Sequence, residues 1–377
     1  KYPFFISIFT IIFISIGGYI YYTNNILNDR TSSKEREIET VEWEKKYKKY
    51  ENYNQPRIVS VNVDVNIFPS TRDVNASGEY VMINKTKEAI DSIFLDHNSL
   101  ISTFKFDKET DLVSEDTIYN LDIYKLGTPL YPGDSLKLSF SLKNKPNTVL
   151  RNNSQIIYNG TFINSSIFPS LGYSLGELRD DKTREKYDLP PNKLKPHPSD
   201  STSLGNTYIA KDADWIDFEA TVSTSKDQIA IAPGYLQKEW IEGDRRYFHY
   251  KMDSKILNFY AFNSAKYEVL KDKWNDVNLE IYYHKGHEYN LDRMIKGMKA
   301  ALDYCTENFS PYQHKQLRII EFPKTAGGFA QSFPNTIPFS ESIGFIADVD
   351  DSEEGGNDYA FFITAHEVAH QWWAHQV

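Results

Sequence analysis

The chain has 377 residues, of which 40% are hydrophobic, so it can bury sizeable cores and two or three structural units are expected. Its 42 Lys and Arg are outnumbered by 52 Asp and Glu, which gives a net charge of −10. Because there is no dense basic run, no nucleic-acid partner is expected. The single Cys305 excludes a disulfide within the chain and is expected to be a small core residue on a helix.

Residues 1–22 are predicted to form a transmembrane helix. Positions 3–22 carry no charged side chain, and at about 1.5 Å per residue such a helix spans roughly 30 Å, the thickness of a bilayer's hydrocarbon core. A secretory signal peptide is the alternative, but it usually has a shorter apolar core and a small-residue cleavage site. Because the chain opens with Lys1 where Met would be expected, we interpret the segment as the last span of a longer membrane protein.

The next two segments differ in periodicity. Residues 23–55 are polar and dense in alternating charge, which predicts an exposed helix or stalk with a solvated charged face. Residues 56–274 contain runs that alternate apolar and polar side chains between turn formers, which is typical of half-buried strands. The clearest run places apolar residues at every second position, namely Val59, Val61, Val63, Val65 and Ile67. Residues 56–274 are therefore predicted to form a β-rich N-terminal domain.

Residues 275–377 mix strand and helix patterns, which predicts a second domain. A strand at 277–283 precedes an amphipathic helix that Asn290 can cap. A short strand at 317–322 and an edge strand at 330–337 follow. The second domain is therefore expected to be of mixed α and β type.

Two histidines flank a Lys-Gly turn at the end of the first of these strands. His284 and His287 are close enough in sequence to share a metal ion, but a metal site there would need further ligands. We therefore favour a simple strand end at this position.

The strongest chemical pattern is the sequence HEVAH at 366–370. On a helix, His366 and His370 are one turn apart on the same face, so their imidazoles can hold one metal ion from one side. Glu367 lies beside them and can accept a proton from a metal-bound water. The pattern therefore predicts a zinc site with Glu367 as general base.

The context of the motif favours a helix. Residues 358–376 contain neither Pro nor Gly, and Asn357 or Asp358 can cap the helix that they predict. The alternative is an ordinary buried helix whose two histidines are satisfied by neighbouring groups. An apolar stripe at helical spacing is compatible with both interpretations.

A catalytic zinc site needs three protein ligands and a water, and this chain offers two strong candidates. The metzincin signature is excluded, because it requires Gly and His where the chain has Trp373 and Gln376. His375 would lie about 140° around the helix from His370, too far to reach the same metal. The remaining common option is a Glu from a following helix, beyond Val377.

The stretch HEVAHQWWAHQV resembles the zinc helix of the aminopeptidase-N-like gluzincins. The resemblance is closest to a bacterial branch in which the peptidase is fused behind the membrane domain of an ABC-type exporter permease. It covers nearly the whole chain after residue 40, through the segments EWEKKYKKYENYNQPRIVSVNVDVNIFPSTR, NTYIAKDADWIDFEATVSTSKDQIAIAPGYLQKEW, RRYFHYKMDSKILNFYAF and FAQSFPNTIPFSESIGFIAD. It implies an α+β chain with one transmembrane helix, a β-rich N-terminal peptidase domain and the first part of a thermolysin-like catalytic domain.

The same resemblance implies roles for individual residues. The Glu of the motif, here Glu367, acts as general base, while a downstream Glu completes the zinc site and a downstream Tyr stabilises the oxyanion. Both of these positions would follow Val377. Residues 275–377 are therefore interpreted as a truncated catalytic domain, and the 377-residue chain alone is expected to be inactive.

One segment departs from the family pattern. Typical aminopeptidases of this family carry a G-A-M-E-N strand whose Glu binds the substrate's free amino terminus, whereas this chain has FAQSF at 329–333. Ser332 replaces the anionic anchor, with Gln331 adjacent, so strict aminopeptidase specificity is in doubt unless Glu341 or another carboxylate takes over. The backbone of Ala330, Gln331 and Ser332 is expected to align the substrate as an added strand. An edge strand without a substrate role is the alternative.

The sequence as a whole predicts a membrane-tethered, aminopeptidase-like zinc metallopeptidase in the bacterial cell membrane. Zinc held by His366 and His370 would activate a water, with Glu367 as general base, to hydrolyse peptide bonds. A peptide substrate, the membrane and an ABC-type ATPase subunit are the implied partners, and the side of the membrane stays open. The alternative is a non-catalytic, peptidase-like binding or gating module of an ABC-type exporter.

Overall fold

The computed structural model describes residues 2–26, 32–97, 101–144, 155–173, 178–192, 196–197, 199–201, 213–349 and 358–376. Helix makes up 26% and strand 41%, so the chain is of mixed α and β type, with one apolar helix at its N-terminal end. The helices are α1 (Tyr2–Asn25), α2 (Ser33–Tyr47), α3 (Asp181–Lys186), α4 (Leu291–Asn308) and α5 (Tyr359–Ala369). The strands are β1 (Arg57–Phe68), β2 (Asp73–Ile83), β3 (Ile90–Asp96), β4 (Ile101–Phe106), β5 (Thr110–Asp116), β6 (Leu121–Leu130), β7 (Ser135–Asn144), β8 (Thr161–Asn164), β9 (Ser170–Leu171), β10 (Trp215–Ser225), β11 (Ile229–Ile231), β12 (Tyr235–Glu242), β13 (Arg245–Lys251), β14 (Ile256–Leu257), β15 (Ala261–Ala265), β16 (Tyr267–Trp274), β17 (Val277–His284), β18 (Gln316–Phe322) and β19 (Thr336–Ser340).

The chain forms two compact units. The first contains α1, α2 and α3, and the second contains all the strands named above together with α4 and α5. The predicted domains 56–274 and 275–377 therefore belong mostly to one unit. Within it, a hydrophobic cluster of residues between Ile58 and Phe262 and another between Val277 and Trp372 share no member. The domain boundaries themselves stay predictions.

Helix α1 has the length and composition that the sequence predicts. Its residues Tyr2–Thr23 have a mean hydropathy of 2.1, so the helix is long and apolar enough to span a membrane. A signal sequence or a core helix satisfies the same criterion. Membrane insertion therefore stays a prediction.

In the first unit, a buried ion pair joins α2 to α3. The Arg184 guanidinium donates to both carboxylate oxygens of Glu44, at 2.9 and 2.6 Å, and the two side chains are 2% and 1% exposed. Ser32 begins α2 with a capping box in which Ser32 and Glu35 exchange hydrogen bonds. The prediction of a solvated stalk is correct for much of α2 but wrong for the face that buries Val41, Glu44 and Tyr47.

The large sheet of the second unit has the order β12-β13-β10-β1-β2-β7-β4, with β14 also paired to β10. Strand β1 buries alternate residues, as its sequence predicts, up to a bulge near its start. Because the bulge lies between Ile58 and Ser60, Ile58 is buried in the core while Val59 is only half-buried. The other two sheets of this region have the orders β11-β15-β8 and β5-β6-β3-β9.

The sheet that positions the HEVAH sequence has the order β16-β17-β18-β19. Strands β17, β18 and β19 are parallel, and α4 connects β17 to β18. Helix α4 buries the apolar face that the sequence predicts, including Met294, Met298 and Cys305. Helix α5 packs closely on α4, since a Cβ added at Gly297 would lie 2.8 Å from the carbonyl oxygen of Phe361.

The predicted edge strand at 330–337 is instead a tight hairpin. The regular strand is β19, and Phe329 to Phe333 runs antiparallel to it through an isolated bridge between Ala330 and Phe339. The chain reverses at Asn335, whose φ of 50° lies in the left-handed region that Asn tolerates. The segment 329–333 therefore flanks β19 on the side away from β18.

The buried pair offers a test of the first unit. Glu44→Gln leaves the Arg184 guanidinium buried without its counter-charge, so we expect the first unit to lose about 3–5 kcal/mol of stability. Hydrogen exchange of the α2 and α3 amides measures this loss locally. Glu37→Gln, which removes the solvent-exposed partner of Lys186, is the matched control and should change exchange far less. Equal protection in the two variants would contradict the importance of the buried pair.

Candidate metal centre

Helix α5 begins at a capped N-terminus. Asp358 Oδ1 accepts a hydrogen bond from the Phe361 N–H at 2.9 Å, and its Oδ2 pairs with Arg293 at 2.7 Å. The prediction of a cap at Asp358 is confirmed, while Asn357 lies outside the described residues. The cap and the ion pair together attach the start of α5 to α4.

The helix ends earlier than the sequence predicts. It stops at Ala369, His370 is its C-cap, and the following residues form turns in which Ala374 has a φ of 103°. The predicted helix over 358–376 is therefore too long by about two turns. His375 is consequently not on a helix face, and it turns inward, with Nε2 lying 3.1 Å from the Ser332 carbonyl oxygen. That contact, and not the predicted angle around a helix, keeps His375 out of the His366 group.

The HEVAH side chains converge as the spacing predicts. His366, Glu367 and His370 each offer a ligand atom, and these atoms lie within 4.8 Å of one another. The two imidazoles are perpendicular, with ring centroids 4.8 Å apart. His366 is exposed, His370 is half-buried and Glu367 is buried, so the group opens to solvent on its imidazole side. These residues form a possible metal-binding group.

A hydrogen bond orients the second imidazole. His370 Nδ1 lies 3.2 Å from the Trp373 carbonyl oxygen, which suits a protonated Nδ1 and leaves the lone pair on Nε2. Backbone carbonyls hold metal-ligating histidines in this way in many metal sites. Among the described residues, no further His, Cys, Asp or Glu joins this group. The two imidazoles thus fit zinc as part of a ligand set, and the described residues supply no carboxylate that completes the common His₂Glu set.

The local environment alters the pKa of His366 and that of Glu367. Burial lowers the pKa of His366, and the neighbouring His370 lowers it further, which favours the neutral imidazole that a metal requires. Burial raises the pKa of Glu367, against the opposing effects of His370 and of a hydrogen bond from the Ser332 backbone. Glu367 is therefore a stronger base than an exposed glutamate.

The predicted substrate segment lies beside this group. Gln331 N–H donates to the Pro338 carbonyl at 3.0 Å, and Phe329 O accepts from Ser340 N–H at 3.0 Å. Because Ala330 lies between these two bonds in a bridge with Phe339, its own N–H and C=O point away from β19. The Ser332 backbone faces the same side and contacts Glu367.

The Ser332 side chain points inward. It is 7% exposed, and its hydroxyl accepts a hydrogen bond from Gln371 Nε2 at 2.6 Å. Gln371 also donates to the Phe333 carbonyl and accepts from Asn335 N–H. This fully buried glutamine therefore fixes the turn after α5 to the hairpin. Sequence reasoning missed Gln371, because a single Gln beside two tryptophans carries no recognisable pattern.

A second possible metal-binding group consists of His284, His287 and Glu321. The sequence suggested that the two histidines lacked further ligands, and Glu321 supplies one from the neighbouring strand β18. Glu321 could have been found as an acidic residue inside an otherwise apolar strand end. Every residue of β18 after Gln316 is buried. A buried carboxylate requires a partner of its own, and parallel pairing places β17 alongside it.

Comparisons with known proteins do not identify the chain. It matches no protein-family model, and no curated protein matches it. The functional argument therefore depends on the residues and their geometry.

Two buried histidines, His314 and His375, predict that the folded state loses stability in acid. Burial lowers the pKa of His314 from 6.5 to about 4, with a further contribution from His375, whose pKa burial also lowers to about 4. Because the folded-state pKa lies below the unfolded one, stability is full above about pH 6.5 and falls as the pH decreases from 6.5 toward 4. The loss per histidine is at most about 3 kcal/mol.

His314→Leu should reduce this pH dependence, which the urea midpoint measured from pH 7.5 to 4.5 would show. Its effect at pH 7.5 provides the control for altered packing. An unchanged slope in the variant would contradict the assignment to His314.

Proposed function

We propose that the chain carries the catalytic helix of a membrane-tethered, aminopeptidase-N-like zinc peptidase with a thermolysin-like catalytic domain. The observation that carries this proposal is the convergence of His366, Glu367 and His370, with Glu367 near the backbone of Ser332 in the hairpin. The length and apolarity of α1 support a tether in the cell membrane. An ABC-type exporter permease and its ATPase subunit belong to the same proposal.

His366 and His370 would hold the zinc, and a carboxylate outside the described residues would complete the ligand set. When bound, zinc would supply Lewis acidity that polarises a peptide carbonyl and increases the acidity of water. The hydrogen bond from His370 Nδ1 to the Trp373 carbonyl would leave Nε2 free to serve as the ligand atom.

Glu367 acts as general acid and base. Its burial raises the pKa of the carboxylate, which makes it a better acceptor for the proton of the attacking water, and the carboxyl then returns that proton to the leaving amine. The Ser332 backbone lies near the carboxylate and favours its ionised form, against the effect of burial.

The substrate binds along the hairpin edge. The outward N–H and C=O of Ala330 can pair with a peptide backbone in the manner of an added strand. The Ser332 hydroxyl is engaged with Gln371, so its side chain leaves no anionic group at the position of the family's amine anchor. The enzyme therefore accepts peptides without binding a free amino terminus at Ser332.

The general base is tested by Glu367→Gln in the protein expressed from its complete natural gene, with the 377-residue chain in parallel. We expect unchanged zinc content and a loss of peptide hydrolysis of at least ~10²-fold, because the amide cannot accept a proton. Glu307→Gln, on the exposed side of α4, is the matched control. If the Glu367→Gln variant hydrolysed peptides at the parental rate, Glu367 would not be the general base. Bound zinc without hydrolysis of any peptide by the parent would favour a binding or gating module instead.

Substrate preference is tested with one peptide in two forms, with a free and with an acetylated amino terminus. Because no charge-assisted contact to the ammonium is expected from Ser332, kcat/KM for the two forms should differ by less than about tenfold. Competition between the two peptides in one reaction measures the ratio directly. A preference above roughly 100-fold for the free amine would indicate an anionic anchor elsewhere, such as Glu341.

A further inference from the structure

A second cluster of metal-ligand side chains lies where β17 and β18 end. His284 is the last residue of β17, His287 follows in the turn toward α4, and Glu321 is near the end of β18. This cluster shares no residue with the His366 group. Its function is therefore independent of the peptidase proposal.

Both imidazoles approach the same carboxylate oxygen. His284 Nδ1 lies 3.3 Å from Glu321 Oε1, and His287 Nδ1 is in direct contact with that oxygen. Glu321 Oε2 accepts the backbone N–H of His284 at 2.5 Å, which fixes the orientation of the carboxylate. Glu341 Oε2 lies 4.0 Å from His287 Nδ1, at the margin of this group but outside it.

The charge of Glu321 requires compensation. The side chain is fully buried, and among the described residues no Lys or Arg pairs with it. His284 is itself nine-tenths buried, and its Nε2 has no hydrogen-bond partner in the described part of the chain. A metal ion between the three side chains would neutralise the buried carboxylate.

The geometry points to a divalent transition-metal ion held by His284, His287 and Glu321. Two imidazoles and a carboxylate are a donor set that suits zinc and its first-row neighbours. The 3.3 Å between His284 Nδ1 and Glu321 Oε1 matches the separation of about 3.3–3.4 Å between ligand atoms in a tetrahedral zinc site. His287 needs only a small outward rotation to reach the same spacing, and at 28% exposure its side chain has room for it.

The ion would stabilise one end of the sheet that carries the catalytic segment. Its ligands come from β17, from the turn that leads to α4 and from β18. Binding would therefore tie together two neighbouring parallel strands where they end. Three protein ligands leave one position of a tetrahedral site for water.

The test uses Zn²⁺ as the probe and a protein in which the first group is removed. The His366→Ala/His370→Ala variant is stripped with chelator, equilibrated with Zn²⁺, freed of unbound ion and analysed by elemental mass spectrometry. We expect about one zinc ion per chain and a zinc-dependent rise in the thermal midpoint. Adding His287→Ala should weaken zinc binding by at least ~10-fold, and Glu341→Gln should weaken it less.

A matched control is available in the β-rich region. His249 pairs with Glu219 at 2.7 Å but belongs to no metal-binding group of the described residues, so adding His249→Ala should leave zinc binding unchanged. Circular dichroism identifies any variant that fails to fold, and Co²⁺ absorption in the folded parent variant then provides the second readout. If the His366→Ala/His370→Ala variant takes up no zinc and shows no midpoint shift, the cluster is a hydrogen-bonded His–Glu network and the inference is wrong. Neither result bears on Glu367 and peptide hydrolysis.

Discussion

The close packing of α5 on α4 determines where the side chains of His366 and His370 point. A Cβ at Gly297 would lie 2.8 Å from the Phe361 carbonyl oxygen and 3.1 Å from Thr364 Cβ, so only glycine lets the helices approach this far. Thr364 and Val368 occupy the buried face, one turn apart. His366, half a turn away from that face, is exposed on the other side. A single small residue on one helix thereby orients the imidazoles of the next.

The far end of α5 is held by polar contacts. Gln371 bonds to three residues of the hairpin, and His375 contacts the Ser332 carbonyl. Because these groups are buried, each contact is stronger than it would be in water. The helix is thus fixed by an ion pair at its start and by a hydrogen-bonded turn at its end. Both attachments hold Glu367 near the backbone of Ser332.

Local patterns predicted the parts of the structure that depend on local forces. The alternation in β1, the apolar face of α4, the cap at Asp358 and the convergence of the HEVAH imidazoles all follow from residue spacing. The length of α5 did not, because the inward turn of His375 and the buried Gln371 are tertiary contacts. Glu321 was missed for the same reason. Only the pairing of β17 with β18 brings it to two histidines more than thirty positions away in sequence.

The bond between α2 and α3 has a consequence for biosynthesis. Glu44 and Arg184 are separated by 140 residues, and most of the intervening chain belongs to the other unit. At about 5–20 residues per second, the acidic side chain leaves the ribosome roughly 10 s before its basic partner is made. During that interval Glu44 cannot form the ion pair, so α2 can pack on α3 only after residue 184 has been made.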